Sequence, residues 1–417
     1  MRIGFDTLDW HAEFNTGCAS SYDRLMNQEA YRISSGGYGN VDLGSREGIS
    51  FGAARMAFYA TLSALKLPPG SEVVLCAANC AVMVDAVRRL NLTPVFSDVS
   101  MSNYANRMKN ICPVVTPKTR AVVIQHTFGV VNDAVLNTEY FRENGIFVIE
   151  DCALAFGSSI GKQKVGTFGD AAIYSFDSTK PINGYIGGMV TTKHESLLHS
   201  LKEIQAKASN FSRIQEKYFS TLNRMSLITG GVKYIPSKVA KAGLAASGRI
   251  VGLSRSLSED TNLHSRVRPY PYPALLPYFN REQINFQLAN FESIALKRQK
   301  FGREVLKVLQ EYSDICDYPS CLNDRDQNFI PLRVPIFLRD QRTTYRLRSK
   351  IIDLNRSWFS PPIVGLPASH ELHEKIAVSC PTASDLSKRV FNVPCCASRS
   401  LDPIILEELR TCLSRIR

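Results

Sequence analysis

Short β-branched segments alternate with helical segments from about residue 50 to residue 192, and this alternation constrains the fold more than any other feature. Runs such as AVVIQ (121–125) and FVIE (147–150) are apolar on both faces, which is typical of a sheet covered by helices on both sides. AARMAFYATLSALKL (53–67) has the apolar spacing of a helix and stops at two prolines and a glycine. The pattern predicts an α/β domain with a largely parallel sheet.

The remaining elements extend this domain and add a second one. Strands are predicted at 72–77, 94–99, 121–128, 146–153, 170–176 and 187–192, and helices at 80–91, 135–145 and 194–207. Helical periodicity returns at 281–312, followed by a strand-like run at 329–337 and an amphipathic helix at 401–416. We therefore expect a large domain over residues 1–280, which includes a basic helical arm at about 193–270, and a small C-terminal domain over residues 281–417.

Composition excludes several classes of protein. The 417 residues are 44% hydrophobic and 21% charged, which excludes a disordered chain. No uncharged apolar stretch approaches the roughly 18 residues that a membrane-spanning helix needs, and the first fifteen residues do not resemble a secretory signal. Eleven scattered Cys residues form no CxxC pair and no zinc spacing, so we expect reduced thiols, a cytoplasmic location and no metal site.

The net charge of +12 favours anionic partners without choosing among them. Residues 218–258 contain six Lys and Arg residues and no acidic one. Two interpretations stay open for this stretch. It forms either a solvated helical face on an interdomain arm, or a basic amphipathic surface. Such a surface would face a partner's acidic patch or make weak contact with anionic lipid at the inner face of the membrane. No nucleic-acid-binding module is recognisable, so we expect no nucleic acid partner.

Polar residues follow two of the predicted strands at the edge where open α/β sheets bind ligands. Asp151 ends one strand, and Lys180 follows another, with Ser175 five residues before it. These residue types suit an aldehyde cofactor that bears a phosphate: the amine bonds the aldehyde, the carboxylate faces a pyridinium nitrogen and the serine contacts the phosphate. Gly52 at a helix start would add backbone amides. Spacing alone leaves open a capping Asp and an inert surface Lys.

A family resemblance narrows these alternatives. The ordered segments EDCALAFG, VGTFGD, SFDSTK and GGMVTT (150–192), with FGAARMAFYATLSAL (51–65) before them and CPTASDLSKRVFNVP (380–394) after them, resemble the DegT/DnrJ/EryC1/StrS group of sugar aminotransferases. The resemblance implies pyridoxal 5′-phosphate (PLP) as cofactor and the aspartate-aminotransferase fold (PLP fold type I). It also implies a large mixed, mostly parallel sheet domain, a smaller C-terminal α/β domain and a homodimer.

By this resemblance, Lys180 occupies the position of the lysine that bonds the cofactor, Asp151 faces the pyridine nitrogen and Ser175 binds the phosphate. Gly52 and Ala53 stand where the family uses a Gly-Thr pair for the same phosphate. The two catalytic residues would be Lys180 and Asp151. All five residues would bind the cofactor, together with Cys80 at the position that faces the cofactor ring.

Three positions depart from the family pattern. Leu154 stands where the family has Gln or His against the cofactor's phenolic oxygen, and Cys80 stands where an aromatic residue stacks on the pyridine ring. The partner subunit's Asn-x-Arg phosphate contact aligns poorly with residues 278–280, and Arg281 is one place out of register. None of these changes removes the amine at position 180, so we expect a variant active site.

His126, in QHTFG, lies at a strand end that faces the predicted site. Two roles stay open for it: a hydrogen-bonded histidine beside the site, or a contact to substrate or cofactor.

The resemblance implies a PLP-dependent aminotransferase that moves an amino group from an amino acid, glutamate being the expected donor, to a nucleotide-linked keto-sugar. Polysaccharide or natural-product biosynthesis would be its setting. Two alternatives remain: another PLP-dependent reaction on a related substrate, and a catalytically weak, membrane-associated binding or scaffold protein of the same fold. The retained Lys180 disfavours the sugar dehydratase route, in which related proteins carry His.

Overall fold

The computed structural model describes residues 41–42, 46–177, 179–220, 270–324, 326–349, 352, 354, 359–366, 369–395 and 402–417. Positions 221–269 of the basic arm, which is predicted to contact lipid or solvent, lie outside the described residues.

Sixteen strands are described: β1 (Val41–Asp42), β2 (Glu47–Phe51), β3 (Glu72–Cys76), β4 (Asn79–Cys80), β5 (Thr93–Ser97), β6 (Thr119–Gln125), β7 (Phe147–Asp151), β8 (Ser159–Ile160), β9 (Gln163–Lys164), β10 (Ala171–Ser175), β11 (Gly188–Thr192), β12 (Cys316–Asp317), β13 (Gln327–Asn328), β14 (Arg333–Leu338), β15 (Ile363–Val364) and β16 (Val390–Pro394). The helices are α1 (Ala54–Ala64), α2 (Ala81–Arg88), α3 (Met108–Ile111), α4 (Thr138–Glu143), α5 (Glu195–Lys207), α6 (Tyr278–Ala289), α7 (Phe291–Glu311), α8 (Glu371–Ser379), α9 (Pro381–Ser387) and α10 (Asp402–Ser414).

The large sheet has the strand order β1-β2-β11-β10-β7-β6-β3-β5. Its five strands from β10 to β5 run parallel, whereas β11, β2 and β1 add an antiparallel edge. Each predicted strand between residues 72 and 192 is present in this sheet. The predicted α/β class with a mixed, mostly parallel sheet is therefore confirmed.

Alternate residues of the central strands enter two different hydrophobic cores. Val123 of β6 and Ile149 of β7 pack with helix α1 on one face, and Val122 and Val148 pack with helix α4 on the other. The period of two residues follows from strand geometry, and helices cover both faces as the continuous apolar runs predict.

A second, smaller sheet in the C-terminal part has the order β12-β14-β16 and is antiparallel. Helices α7 and α10 pack against it around a core of their own. The boundary between the two domains at residue 280 stays a prediction.

The helical periodicity at 281–312 forms two helices rather than one. Asn290 leaves the helical region with φ −112° and ψ 9°, and its side-chain amide donates to the carbonyl of Phe286 at 2.8 Å. This bond satisfies a carbonyl at the end of α6, since an asparagine side chain competes well with the backbone at helix ends.

None of the helices in the described ranges has the length and apolar character that crossing a membrane would require.

Candidate active site

Three neighbouring strands of the large sheet end in polar residues at the same edge. In the parallel register Gln125, the last residue of β6, lies opposite Asp151, the last residue of β7. Ser175 ends β10, two residues after the partner of Asp151 in that strand. The carboxyl edge of a parallel sheet is where α/β folds bind ligands. The topology therefore brings Asp151 and Ser175 to one edge, as the sequence predicts.

The carboxyl group of Asp151 is almost buried and holds only one hydrogen bond from the described residues. Its side chain is 8% exposed, and Oδ1 accepts from the backbone N–H of Ala153 at 3.0 Å. Burial raises the pKa of Asp151 above its ordinary value, and the Ala153 N–H, Lys180 and His126 oppose that rise. Within the described ranges Oδ2 accepts no hydrogen bond, so this oxygen can receive one from a ligand.

Lys180 lies in the turn after β10, where its backbone N–H donates to the carbonyl of Asp177 at 2.9 Å. Burial lowers the pKa of its amine, although Asp177, Cys80 and Asp151 each act to raise it. Lys180 acts to lower the pKa of Asp151 and Asp151 acts to raise that of Lys180, so the predicted amine and the predicted carboxylate lie near one another. A lysine with a lowered pKa is a better nucleophile and proton carrier near neutral pH.

Cys80 is the N-cap residue of α2, at the end of β4, which pairs with β15. Burial raises the pKa of its thiol, and the positive charges of Lys180 and Arg55 lower it. The thiol is therefore uncharged at neutral pH beside the amine. Leu154, the other departure from the family pattern, is buried in the core that contains α1.

The predicted phosphate contacts surround the start of helix α1. The backbone N–H of Gly52 donates to the carbonyl of Ala274 at 2.8 Å, and Ala53 is the N-cap in extended conformation. The helix itself begins at Ala54, so its first amides follow Gly52. Gly188 of β11 has to be glycine here, because a Cβ at this position would lie 2.1 Å from the nitrogen of Ala54.

Arg55 lies beside the candidate site, and the sequence did not predict it there. Its side chain is 4% exposed in the first turn of α1, donates to the hydroxyl of Tyr270 and interacts electrostatically with Cys80. One signal was available in the sequence: Arg55 is the only charged residue in the otherwise uncharged run AARMAFYATLSAL. Burying a guanidinium is costly unless it serves a partner or a ligand.

His126 takes part in a buried hydrogen-bond network. Its Nδ1 accepts from the backbone N–H of Asn132 at 3.0 Å, and its Nε2 lies 3.1 Å from Oε2 of Glu150. Glu150, His126 and Cys152 offer ligand atoms within 4.8 Å of one another, as a metal site would. However, both ring nitrogens of His126 and both oxygens of Glu150 already hold hydrogen bonds, and burial raises the pKa of the Cys152 thiol. These three residues therefore form part of a hydrogen-bond network. A substrate contact for His126 stays a prediction.

Residues 278–281, which align poorly with the family's partner-subunit phosphate contact, form contacts within their own chain. Asn280 is buried, and its side-chain amide donates to the carbonyl of Gly184 at 2.6 Å. The guanidinium of Arg281 lies 5.0 Å from the ring centre of Tyr278 and 3.6 Å from the carboxylate of Glu282.

Known proteins share the motifs of the large domain. Residues 42–233 match the model of the DegT/DnrJ/EryC1/StrS aminotransferase family. The chain is 33% identical over 167 residues to UDP-N-acetyl-3-dehydro-alpha-D-glucosamine 3-aminotransferase of Acidithiobacillus ferrooxidans, a match that covers 40% of this chain and 45% of that protein. It is 34% identical over 142 residues to GDP-perosamine synthase of Escherichia coli O157:H7, covering 34% and 39%. These matches span less than half the length of the curated relatives.

Solved structures share the fold over most of the chain. An aminotransferase from Psychrobacter cryohalolentis superposes with a TM-score of 0.64 at 18% identity, covering 89% of this chain and 88% of that one. The Helicobacter pylori aminotransferase involved in the biosynthesis of pseudoaminic acid superposes with a TM-score of 0.65 at 14% identity, with the same coverage. The aspartate-aminotransferase-like fold is therefore confirmed. Over residues 42–233, this chain is similar to the DegT/DnrJ/EryC1/StrS aminotransferase family.

Proposed function

We propose that the chain is a PLP-dependent aminotransferase that transfers an amino group from an amino acid to a nucleotide-linked keto-sugar. One observation carries the proposal: the amine of Lys180 and the buried carboxyl of Asp151 interact electrostatically at the carboxyl edge of the large sheet. The family match over residues 42–233 supports the same activity. The names of the two curated relatives, a UDP-sugar aminotransferase and a GDP-perosamine synthase, support a nucleotide-linked sugar as acceptor.

The residues at this edge fit the cofactor. PLP, when bound, supplies an aldehyde for the lysine and a ring that accepts electron density from the donor's α-carbon. Asp151 would face the N–H of the pyridine ring with the carboxyl oxygen that is left when Oδ1 accepts from the backbone N–H of Ala153. A carboxylate beside that nitrogen favours the protonated ring.

Lys180 performs the proton movements in this proposal. Its lowered pKa leaves a larger fraction of the amine neutral, and a neutral amine can take a proton from a carbon atom that lies within its reach. Cys80, with its raised thiol pKa, stays uncharged at neutral pH. Leu154 provides only apolar contact where the family has a polar residue.

The phosphate binds at the start of α1 in this proposal. Ser175 ends β10 at the same edge, and the amides that follow Gly52 and Ala53 belong to the first helical turn. Arg55 adds a guanidinium in that turn, and guanidinium groups suit phosphate because they donate two parallel hydrogen bonds. The net charge of +12 also suits a substrate that carries a diphosphate.

Glutamate as donor, a homodimeric assembly and a cytoplasmic location complete the proposal and rest on the family resemblance. The membrane contact of the basic arm stays a prediction about residues outside the described ranges.

A stepwise experiment tests the function. Purified protein is saturated with PLP, freed of excess cofactor and mixed with single amino acids, and the bound cofactor is followed by its absorbance. The aminated form is then mixed with UDP-, GDP- and dTDP-linked keto-sugars. We expect one amino donor to change the spectrum and one nucleotide keto-sugar to restore it. Lys180→Met should do neither, and protein that takes up no PLP would contradict the proposal.

A further inference from the structure

Two adjacent acidic residues at the end of β7 face opposite sides of the sheet. Asp151 lies on the side of Ile149, which packs with α1, whereas Glu150 lies on the side of Val148. Glu150 is fully buried, with 0% exposure. It therefore cannot touch a ligand that binds against Asp151.

The carboxylate of Glu150 binds the turn between β9 and β10. Oε1 accepts from the backbone N–H groups of Phe168 at 2.8 Å and Gly169 at 2.6 Å, and Oε2 accepts from Gly166 at 2.7 Å. Gly166 has a φ of +86°, and a Cβ there would lie 1.8 Å from the hydroxyl oxygen of Tyr174. The turn can wrap around the carboxylate only because this position is glycine.

His126 connects this carboxylate to Asp151. Because Nδ1 accepts from the backbone N–H of Asn132, it carries no proton, so the ring proton is on Nε2 and is donated to Glu150. The backbone N–H of His126 donates to the backbone carbonyl of Asp151 at 3.0 Å. A chain of hydrogen bonds thus runs from Glu150 through His126 to the main chain of the residue proposed to face the pyridine nitrogen.

We propose that Glu150 and His126 are positioning residues for Asp151: Glu150 and the N–H of Asn132 fix the ring of His126 in one tautomer, and the main chain of His126 holds that of Asp151 at the cofactor ring. This inference rests on the proposed function. A carboxylate is required at position 150 because four N–H groups converge on it. A glutamine side chain at position 150 has an NH₂ group in place of one oxygen. That NH₂ group would face at least one of the four N–H groups, so a buried hydrogen bond would be lost.

The test compares matched variants. Glu150→Gln removes the charge and one acceptor atom. Asp170→Asn is the control, because Asp170 is also a buried carboxylate that accepts a backbone N–H, that of Val148 at 2.9 Å, but does not contact His126. His126→Gln keeps a donor toward Glu150 (its Nε2 can replace that of the ring), whereas His126→Phe removes both ring nitrogens. Each variant is measured for thermal stability, PLP affinity and the pH at which the bound cofactor changes its absorbance.

We expect Glu150→Gln and His126→Phe to shift the pH midpoint of the cofactor band by about one unit and to lower kcat about tenfold or more. Asp170→Asn should lower stability without that shift, and His126→Gln should restore most of the wild-type midpoint. If Glu150→Gln does not fold, the comparison of His126→Gln with His126→Phe decides. Equal midpoints in both histidine variants and the wild type would overturn the positioning role.

A measurement without cofactor separates this inference from the proposed function. Nitrogen-15 NMR of the histidine rings in the cofactor-free protein should show a proton on Nε2 of His126 and none on Nδ1. A proton on Nδ1 would overturn the positioning role whatever the enzyme does. Wild-type protein that shows the expected tautomer but binds no PLP would overturn the proposed function, and the positioning role with it.

Discussion

The guanidinium of Arg55, in the first turn of α1, donates a hydrogen bond to the hydroxyl of Tyr270 and lies 5.5 Å from the centre of that ring. A residue 215 positions away in the sequence thus orients a buried positive charge at the helix start proposed for the phosphate. Arg89 makes a similar contact, with its guanidinium 4.4 Å from the ring centre of Tyr272, but on the exposed side of α2. A substitution of Arg55 therefore tests the role of the buried charge, and the same substitution of Arg89 controls for the loss of packing against a tyrosine ring.

Arg55→Met should weaken PLP binding about tenfold or more and leave the binding of pyridoxal, which has no phosphate, nearly unchanged. The reason is that only the phosphate would use the guanidinium. Equilibrium titration of both ligands, followed by absorbance, measures the ratio.

Arg89→Met is the matched control and should change neither affinity. Equal losses of PLP and pyridoxal affinity in Arg55→Met would show that Arg55 supports the fold around the site and does not bind the phosphate.

Asp98 accepts hydrogen bonds from the segment 380–394, the C-terminal part of the chain that resembles the family. Its Oδ1 accepts from the backbone N–H of Ala383 at 2.8 Å and its Oδ2 from that of Thr382 at 3.0 Å, at the start of α9. Asp98→Ala should lower the free energy of unfolding by about 1–2 kcal/mol, since two helix N-terminal amides lose their acceptor. Denaturant titration measures the change.

Asp340→Ala is the control for Asp98, because Asp340 caps an exposed single turn by accepting from the N–H of Arg342. It should cost less than about 0.5 kcal/mol. An equal cost at the two positions would contradict a special role for Asp98 in joining the strand end to α9.

Gly188→Ala should be severely destabilising, by about 3 kcal/mol or more, because its Cβ would overlap the backbone of Ala54. Gly145→Ala, at a position with a φ of +66° and no atom within 4 Å of the added Cβ, should cost only about 1 kcal/mol. Thermal unfolding of both variants gives the comparison. A mild effect at position 188 would mean that β11 and α1 can separate.

Lys180→Met should raise the stability of the cofactor-free protein at neutral pH. Burial lowers the folded-state pKa of Lys180, so below that pKa the folded chain holds a charge that it disfavours. The penalty disappears as the pH rises from the lowered value toward the ordinary value of 10.5, where folded and unfolded lysine are both increasingly neutral.

The stability difference between Lys180→Met and the wild type should therefore be largest at neutral pH and shrink as the pH rises toward 10.5. Denaturant titrations at several pH values measure it, with the half-exposed Lys193→Met as control. A wild type that is more stable than Lys180→Met at neutral pH would show that Lys180 is paired favourably in the folded chain.

The sequence predicted the sheet because its signal is local. Apolar runs such as those of β6 and β7 identify buried strands, and the end of a strand identifies the edge at which Asp151 lies. Adjacent positions alternate faces, so the choice of Asp151 over Glu150 for the site also follows from local geometry once the family motif fixes the register.

What the sequence missed depends on contacts between distant positions. Glu150 binds backbone amides 16 to 19 residues away. Nearly every residue type has a backbone N–H, so the sequence does not show which of these groups a carboxylate binds. The partner of Arg55 lies in another segment altogether. The break at Asn290 was hidden because apolar spacing continues across it from α6 into α7.

Covalent trapping tests whether the amine of Lys180 is the group that binds PLP. Protein incubated with PLP is reduced with borohydride, digested and analysed by mass spectrometry, with Lys180→Met treated in parallel. We expect one pyridoxyl phosphate group per chain on the peptide that contains Lys180, and none in the variant. Trapping spread over exposed lysines, or equal trapping in Lys180→Met, would contradict it.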